Sequence, residues 1–387
     1  FQELWKRREQ VDIAILLRPS VKNKALFAGF GQSAGVPSIA GQGVAQGDGF
    51  RIVWGDATAY DDVVEAIKGA DWVLSAMAFI SPQADYYPQT AKAVNTDATV
   101  NIVRAIEAQP GGADRTRLIY TGTVAQTGDR LGCISWGRVG DPLKPSIFDT
   151  YAITKIAGER AVLESNIKHW ASLRMTFIMP TDHEDRVSLM DPIMFHQPIA
   201  SCMENLTDRD AGYGLVRALD IDDDSDFWRR VYNMGGGPAM RCTAYDYMDR
   251  SFELMGMSGL QSCTQRRWFA LRNFHMQYFE DSDVLNEYLH HWRDTLDDYW
   301  QATYDAMPAG MRALALVSRH VPFLRRRIEE ETCSRLTEMA ENRRNGTAHW
   351  YANRNEPRIT AFYGDYEAYE SIPDWDGERP PLDPHPQ

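Results

Sequence analysis

The chain has 387 residues, with 41 Lys and Arg against 54 Asp and Glu, a formal net charge of −13. That length predicts roughly two or three folding units, or one domain with a large appendage. Hydrophobic residues at 44% and charged residues at 25% exclude a mainly disordered chain. The acidic balance, with no long Lys/Arg stripe to offset it, argues against nucleic-acid binding. The densest basic cluster, Arg325-Arg326-Arg327, runs into Glu329 and Glu330 and reads as a solvated helix face.

In chain order, Phe1 to Gln10 reads as the last turns of a helix. The apolar run from Val11 to Leu17 then reads as a parallel strand covered on both faces. Residues 28–49, crowded with Gly29, Gly31, Gly35, Gly41, Gly43, Gly47 and Gly49 and lacking periodicity, read as a long loop or lid. Arg51 to Trp54 is a short strand and Asp61 to Gly69 a helix, and Asp71 to Ala78 is a further strand. A helix covers about Gln89 to Ala108, stopped by Pro110-Gly111-Gly112. Arg117 to Thr121 is a strand, Tyr151 to Ser165 a helix, and Leu173 to Met179 a strand halted by Pro180. This alternation predicts βαβ units and a doubly wound α/β parallel sheet. After Pro180 it fades. From about Thr264 the text is helical and aromatic, with Pro308 and Pro322 dividing helices. The organisation expected is therefore a dinucleotide-binding domain at 1–180, a substrate region at 181–263 and a helical extension at 264–387.

The five cysteines (Cys133, Cys202, Cys242, Cys263, Cys333) form no C-x-x-C pair. They suggest free thiols in a reducing cytosol, hence a cytoplasmic protein, and no zinc site. No stretch approaches the about 20 apolar residues of a transmembrane helix. Adjacent His290 and His291 point in different directions on a helix, and Asp222-Asp223-Asp224 lacks a calcium loop's spacing, so no metal is expected. Leu314 to Leu324 reads as core packing.

The pattern with chemistry in it is Tyr151-Ala152-Ile153-Thr154-Lys155. Positions i and i+4 share a helix face, so the ammonium lies beside the phenol. A nearby cation lowers the phenol's pKa toward working pH, which suits a proton donor to a carbonyl oxygen. Tyr120-Thr121 ends the preceding strand and runs into Gly122-Thr123. A parallel sheet places both segments at its carboxyl edge, where ligands bind.

Taken together, these residues resemble the extended short-chain dehydrogenase/reductases, the group with the NAD-dependent epimerase/dehydratase fold. Tyr151 and Lys155 match that family's catalytic pair. Thr123 stands where it places the hydroxyl that bonds the reacting oxygen, and Asn95 matches its helix-borne Asn. Gly55-Asp56-Ala57 is similar to the turn whose Asp contacts adenine. Ser75-Ala76-Met77-Ala78 resembles the strand end where small residues admit the dinucleotide. Met179-Pro180, followed by Thr181, resembles the segment at the nicotinamide. The resemblance implies a Rossmann fold, an NAD(P) cofactor and catalysis by Tyr151, Lys155, Thr123 and Asn95, with Asn95 supporting Lys155 through water. It also implies cofactor contacts from Arg18, Ser20, Asp56, Ala57, Ala76, Met77, Ala78, Thr121, Met179, Pro180 and Thr181. Phe79, Val124 and His183 are expected to face the substrate. Family members often pair helices in a homodimer.

In two places the sequence departs from the family. Its first strand and glycine turn are not in this sequence, which opens in what would be the following helix. Gly29-x-Gly31 follows the wrong strand and runs into Pro37, so it makes a poor phosphate loop. The segment Ile178 to His183 departs from the family's usual R-x-x-x-V-Y-G-P. At the end of the Val11–Leu17 strand stands Arg18, which favours the 2′-phosphate of NADP over NAD. The expected activity is reversible hydride transfer between NADP(H) and a carbonyl or alcohol on a small, bulky hydrophobic or aromatic substrate. The alternatives are a nucleotide-sugar epimerase or dehydratase that keeps NAD bound, and a non-catalytic NADP sensor on the same fold.

Overall fold

A computed structural model describes residues 1–36, 41–130, 135–182 and 191–378. The opening helix α1 (Gln2–Lys6) leads into β1 (Ile13–Leu17), the helix α2 (Val21–Ser33) and the strands β2 (Gly43–Gln46) and β3 (Phe50–Trp54). β1 pairs in parallel with β3, and β2 closes the other side of β3 antiparallel. Where it is described, the glycine-rich stretch is helix up to Ser33 and strand at Gly43–Gln46 rather than a loop or lid, and residues 37–40 lie outside the described residues. Phe27, Phe30, Gly31 and Ala34 follow helical spacing, and Ser20 caps the helix by accepting from Asn23 N at 3.1 Å. Phe27 and Phe30 pack their rings on Phe1 at 4.8 Å, and that burial outweighs the low helix propensity of Gly29 and Gly31. Both glycines lie inside α2, so they form no phosphate-binding turn.

A second sheet holds β4 (Trp72–Ser75), β5 (Arg117–Thr123), β6 (His169–Met175) and β7 (Arg230–Met234). They pair in parallel in the order β7-β6-β5-β4. Its helices are α3 (Tyr60–Ile67), α4 (Ala98–Ala108), entered through a π turn at Lys92–Asp97, and α5 (Thr150–Leu163). Val63 and Ile67 of α3 share an apolar cluster with Leu16 of β1 and Val73 of β4, so one helix bridges the two sheets. Among the described residues, no strand pairs with the second edge of β1 or of β4. The predicted strand ending at Met179 starts earlier, at His169, and breaks after Met175. Ile178–Met179 then pairs separately with Leu206–Thr207. Pro308 and Pro322 do set helix boundaries, at α7 (Ala309–His320) and α8 (Pro322–Thr337), which follow α6 (Ala244–Leu254).

One expectation fails in the helical extension. Leu314, Leu316, Val317, Val321 and Phe323 are exposed rather than core. α7 packs through its small residues Ala315 and Ser318, and Ser318 Oγ donates to Gly256 O at 2.9 Å.

Between the sheet and α5 lies a buried ion pair. Glu159, on α5, accepts from Arg174 Nη2 at 2.7 Å and Nε at 3.1 Å, and the two side chains are 3% and 6% exposed. Ser172 Oγ at 2.6 Å and Gln126 Nε2 at 2.7 Å complete the carboxylate's hydrogen bonding. Deleting one member strands a buried charge. Arg174→Met should therefore cost about 3–5 kcal/mol in urea unfolding. Adding Glu159→Gln removes the orphaned charge, keeps an amide for Ser172, and should recover more than half of that loss. A double variant no more stable than Arg174→Met would contradict this.

Candidate active site

The carboxyl ends of β3, β4 and β5, with the start of α5, gather most of the predicted site residues. Asp149 caps α5, its Oδ1 accepting from Ala152 N at 2.8 Å, while Asp85 Oδ1 takes Thr150 N at 2.9 Å. Burial, with Asp85 close by, pushes the Asp149 carboxyl up to about 7. Tyr151 sits in the first turn of the helix, with the Thr123 side chain close enough to favour its phenolate. Burial pushes the phenol up to about 12, which Thr123 only partly offsets.

One turn further on, Lys155 is 1% exposed. Its ammonium donates to Thr121 O at 2.5 Å and lies 4.3 Å from the centroid of the Tyr120 ring. Burial lowers the amine to about 7, against the opposing pull of Glu159. The expected lowering of the Tyr151 pKa by Lys155 is therefore not the governing effect. Burial acts on both groups and favours their neutral forms. At neutral pH Tyr151 holds its proton, as a donor to a developing alkoxide must.

Thr123 ends β5. Its hydroxyl accepts from Ala125 N at 3.2 Å, and its own N–H donates to Gln126 Oε1 at 3.0 Å. Gln126 in turn holds Glu159, so the strand end is tied to the helix that carries Tyr151. Asn95 sits in the π turn with both ends of its amide engaged. Its Oδ1 accepts from Phe79 N at 2.8 Å, and its Nδ2 donates to Phe79 O and to Thr154 Oγ1, each at 3.0 Å. This side chain clamps the loop after β4 to α5.

Arg18 stands exposed at the end of β1, beside the Ser20-capped start of α2 with Lys22 and Lys24. Asp56 Oδ1 accepts from Thr58 N and Oγ1, and Ala57 packs against the α3 cluster. Ala76 and Ala78 are exposed just past β4, while Met77 turns toward the same α3 cluster. Thr121 Oγ1 donates to Ser75 O at 2.9 Å. The buried hydroxyl of Ser75 and the indole N–H of Trp54, at the ends of β4 and β3, have no hydrogen-bond partner. Two orphaned polar atoms, exposed small residues and a basic corner at one sheet edge fit a dinucleotide lying across it.

Other expectations are corrected here. The Met179 side chain is fully buried against Met240 and Tyr299, so it is core and does not face a nicotinamide. Thr181 is tied to Asp208, its hydroxyl donating at 2.9 Å, with half-buried Pro180 before it. Val124 is 2% exposed and closed off from a substrate, whereas Phe79 is half-buried. His183 lies outside the described residues. His291 bonds Gly235 O and Asp223 pairs with Arg117, and no cluster of metal ligands occurs among the described residues.

The sequence reading missed several residues that hold the site together. Glu159 stands four positions after Lys155, and Ser172 and Arg174 alternate on a buried strand, spacings that would have put all three at one interface. The helical extension contributes as well. Asn273 brackets Ile147, accepting its N–H at 2.7 Å and donating to its carbonyl at 3.0 Å, and His275 Nδ1 lies 3.7 Å from Asp149. No local signal links residues so far apart.

Residues 26–185 match the sequence profile of the NAD dependent epimerase/dehydratase family. The matched segment is similar to that family over less than half of the chain. The resemblance to extended short-chain dehydrogenase/reductases thus holds. The fold also matches solved structures. A variant of the UDP-glucuronic acid 4-epimerase from Bacillus cereus, in complex with UDP-4-deoxy-4-fluoro-glucuronic acid and NAD, superposes with a TM-score of 0.57 at 16% identity. That match covers 79% of this chain and 94% of the epimerase. The UDP-Glc/GlcNAc 4-epimerase from the human pathogen Campylobacter jejuni gives 0.55 at 14% identity, covering 79% and 94%. MoeE5 in complex with UDP-glucuronic acid and NAD gives 0.52 at 15% identity, covering 67% and 86%. Among curated proteins none matches the chain. At these identities the likeness establishes the fold. No helix among the described residues is long and apolar enough to cross a membrane.

The buried lysine has a measurable consequence. An unfolded lysine titrates near 10.5 and Lys155 near 7, so between those values the unfolded state binds more protons. This group's penalty on folding therefore grows as pH falls from 10.5 to 7 and is constant below. Lys155→Met should lose that slope, so its urea midpoint gains on the parent's as pH is lowered to 7. Parallel midpoints from pH 10 to 7 would contradict the burial of a charged-form lysine.

Proposed function

We propose that this chain is an NAD(P)-dependent enzyme of the epimerase/dehydratase type, acting on a secondary alcohol and its ketone. The observation that carries the reading is the placement of Thr123 at the end of a parallel strand where its hydroxyl acts on the Tyr151 phenol, with Lys155 buried one turn away. Arg18 and Asp56 would hold the adenosine end of the dinucleotide, Ala76 and Ala78 would admit its backbone, and Thr181 would lie near the nicotinamide. When bound, the nicotinamide supplies and accepts the hydride. In reduction, Tyr151 donates its phenolic proton to the oxygen as the carbon receives hydride, and Thr123 hydrogen-bonds that oxygen. Lys155 then turns from Thr121 O to stabilise the phenolate, and the reverse sequence oxidises the alcohol.

A UDP-sugar substrate is supported by the bound ligands of the similar structures. A dissociable NADP(H) reductase is a second reading, favoured by Arg18 beside the capped start of α2. The two differ in stoichiometry. Incubation with UDP-hexoses and dinucleotide, followed by chromatography and absorbance at 340 nm, should show sugar conversion without net change in reduced cofactor. Stoichiometric consumption of NADPH would instead select the reductase. Tyr151→Phe should lower turnover about 10²–10⁴-fold while leaving dinucleotide affinity within a few-fold. A variant that turns over like the parent removes Tyr151 from the chemistry. Arg18→Glu should weaken NADPH more than NADH, and equal effects on both would remove the 2′-phosphate role.

A further inference from the structure

Helix α7, the first arm of the α7–α8 hairpin, inverts the usual amphipathic arrangement, whereas α8 buries Leu336 in the core. The buried contacts of α7 are the small residues Ala315 and Ser318, seated on Gly256, where an added Cβ would meet Ser318 Oγ and the Ala315 backbone. The large apolar side chains occupy the remaining faces: Leu314, Leu316 and Val317 on α7, then Val321 and Phe323 at the apex, with Phe323 75% exposed. Each leaves apolar surface in water that burial would remove. Clustering of such residues on a soluble surface marks a contact face.

Charge identifies the occupant. Residues 309–328 contain Arg312, Arg319, Arg325, Arg326 and Arg327 with no Asp or Glu, in a chain whose net charge is −13. The apolar apex Val321-Pro322-Phe323 is flanked by Arg319-His320 on one side and Arg325-Arg326-Arg327 on the other. The acidic residues nearest in sequence are already engaged, Glu329 with Ser258 N and Glu330 with Arg326. Symmetric pairing of two copies would set these arginines against one another, which like-charge repulsion disfavours. Apolar tips ringed by arginine match the boundary between lipid headgroups and acyl chains, where the rings and branches enter and the guanidinium groups meet phosphate.

We infer that the α7–α8 hairpin is a docking surface for an anionic lipid bilayer. Phe323 and Val321 insert at the interface, and Arg319, Arg325, Arg326 and Arg327 bind the headgroup phosphates. Sedimentation of the full chain with phosphatidylcholine vesicles containing about one-third phosphatidylserine tests this. Binding should be at least about 10-fold stronger than to phosphatidylcholine alone and should weaken at high salt. Phe323→Ser, and separately the triple change Arg325→Gln, Arg326→Gln and Arg327→Gln, should each lower binding about 10-fold or more with the melting temperature unchanged. Binding without preference for phosphatidylserine, or equal binding by the variants, would overturn the inference. So would a parent that is oligomeric in solution and falls to monomer with Phe323→Ser, because the face would then be occupied by a second copy.

Discussion

The carboxylate of Glu159 is the point on which the candidate site turns. It stands four residues beyond Lys155 and eight beyond Tyr151, on the face of α5 that meets the sheet. One oxygen takes Ser172 and Arg174 from β6, and the other takes Arg174 and Gln126. Gln126 passes the constraint to the backbone of Thr123. The ion pair thus fixes the rotation of the helix that carries Tyr151 and Lys155, the end of the strand beside it and the distance between them. Its charge also partly offsets the burial that drives Lys155 toward its neutral form. A hydrophobic replacement would pack as well, so the pair serves orientation more than stability.

Burial then sets the protonation states. Asp149, Tyr151 and Lys155 lie within two turns of helix, and all three are driven toward their uncharged forms. A site built this way keeps the Asp149 and Tyr151 protons in place and its field low. The remote helical extension helps to seal it. Asn273 locks Ile147 just before the cap residue Asp149, and Arg358 lies 4.1 Å from the Phe148 ring. Dependence of the helix start on this extension explains why the chain's second half cannot be a passive appendage to its first.

Much of the Rossmann alternation was legible because parallel strands read as apolar runs, as in Ile13–Leu17 and Leu118–Tyr120, although β1 is covered less than such a run predicts, with Ala14 exposed and only Ile13 buried. The Tyr151–Lys155 pair was legible because helical spacing is local. Residues 28–49 misled because glycine content hid the spacing of Phe27, Phe30 and Ala34, whose partners Phe1 and Phe50 are distant in sequence. Leu314 to Leu324 misled for the opposite reason. Apolar composition predicts burial, but which face of a helix packs depends on what it meets, and Gly256 receives Ala315 and Ser318 instead. Met179 looked like a ligand contact by position, yet Tyr299 from the extension covers it. The polar clamps of Asn95, Asn273 and Glu159 join segments that no local pattern connects.

A crystal structure of the protein with NAD or NADP bound addresses the central claim most directly. The account predicts the nicotinamide in van der Waals contact with Tyr151 and Thr123, and the adenosine end beside Arg18 and Asp56. The Lys155 ammonium should have left Thr121 O for the ribose. A dinucleotide bound elsewhere, or Lys155 still held by Thr121 beside a bound nicotinamide, would contradict it.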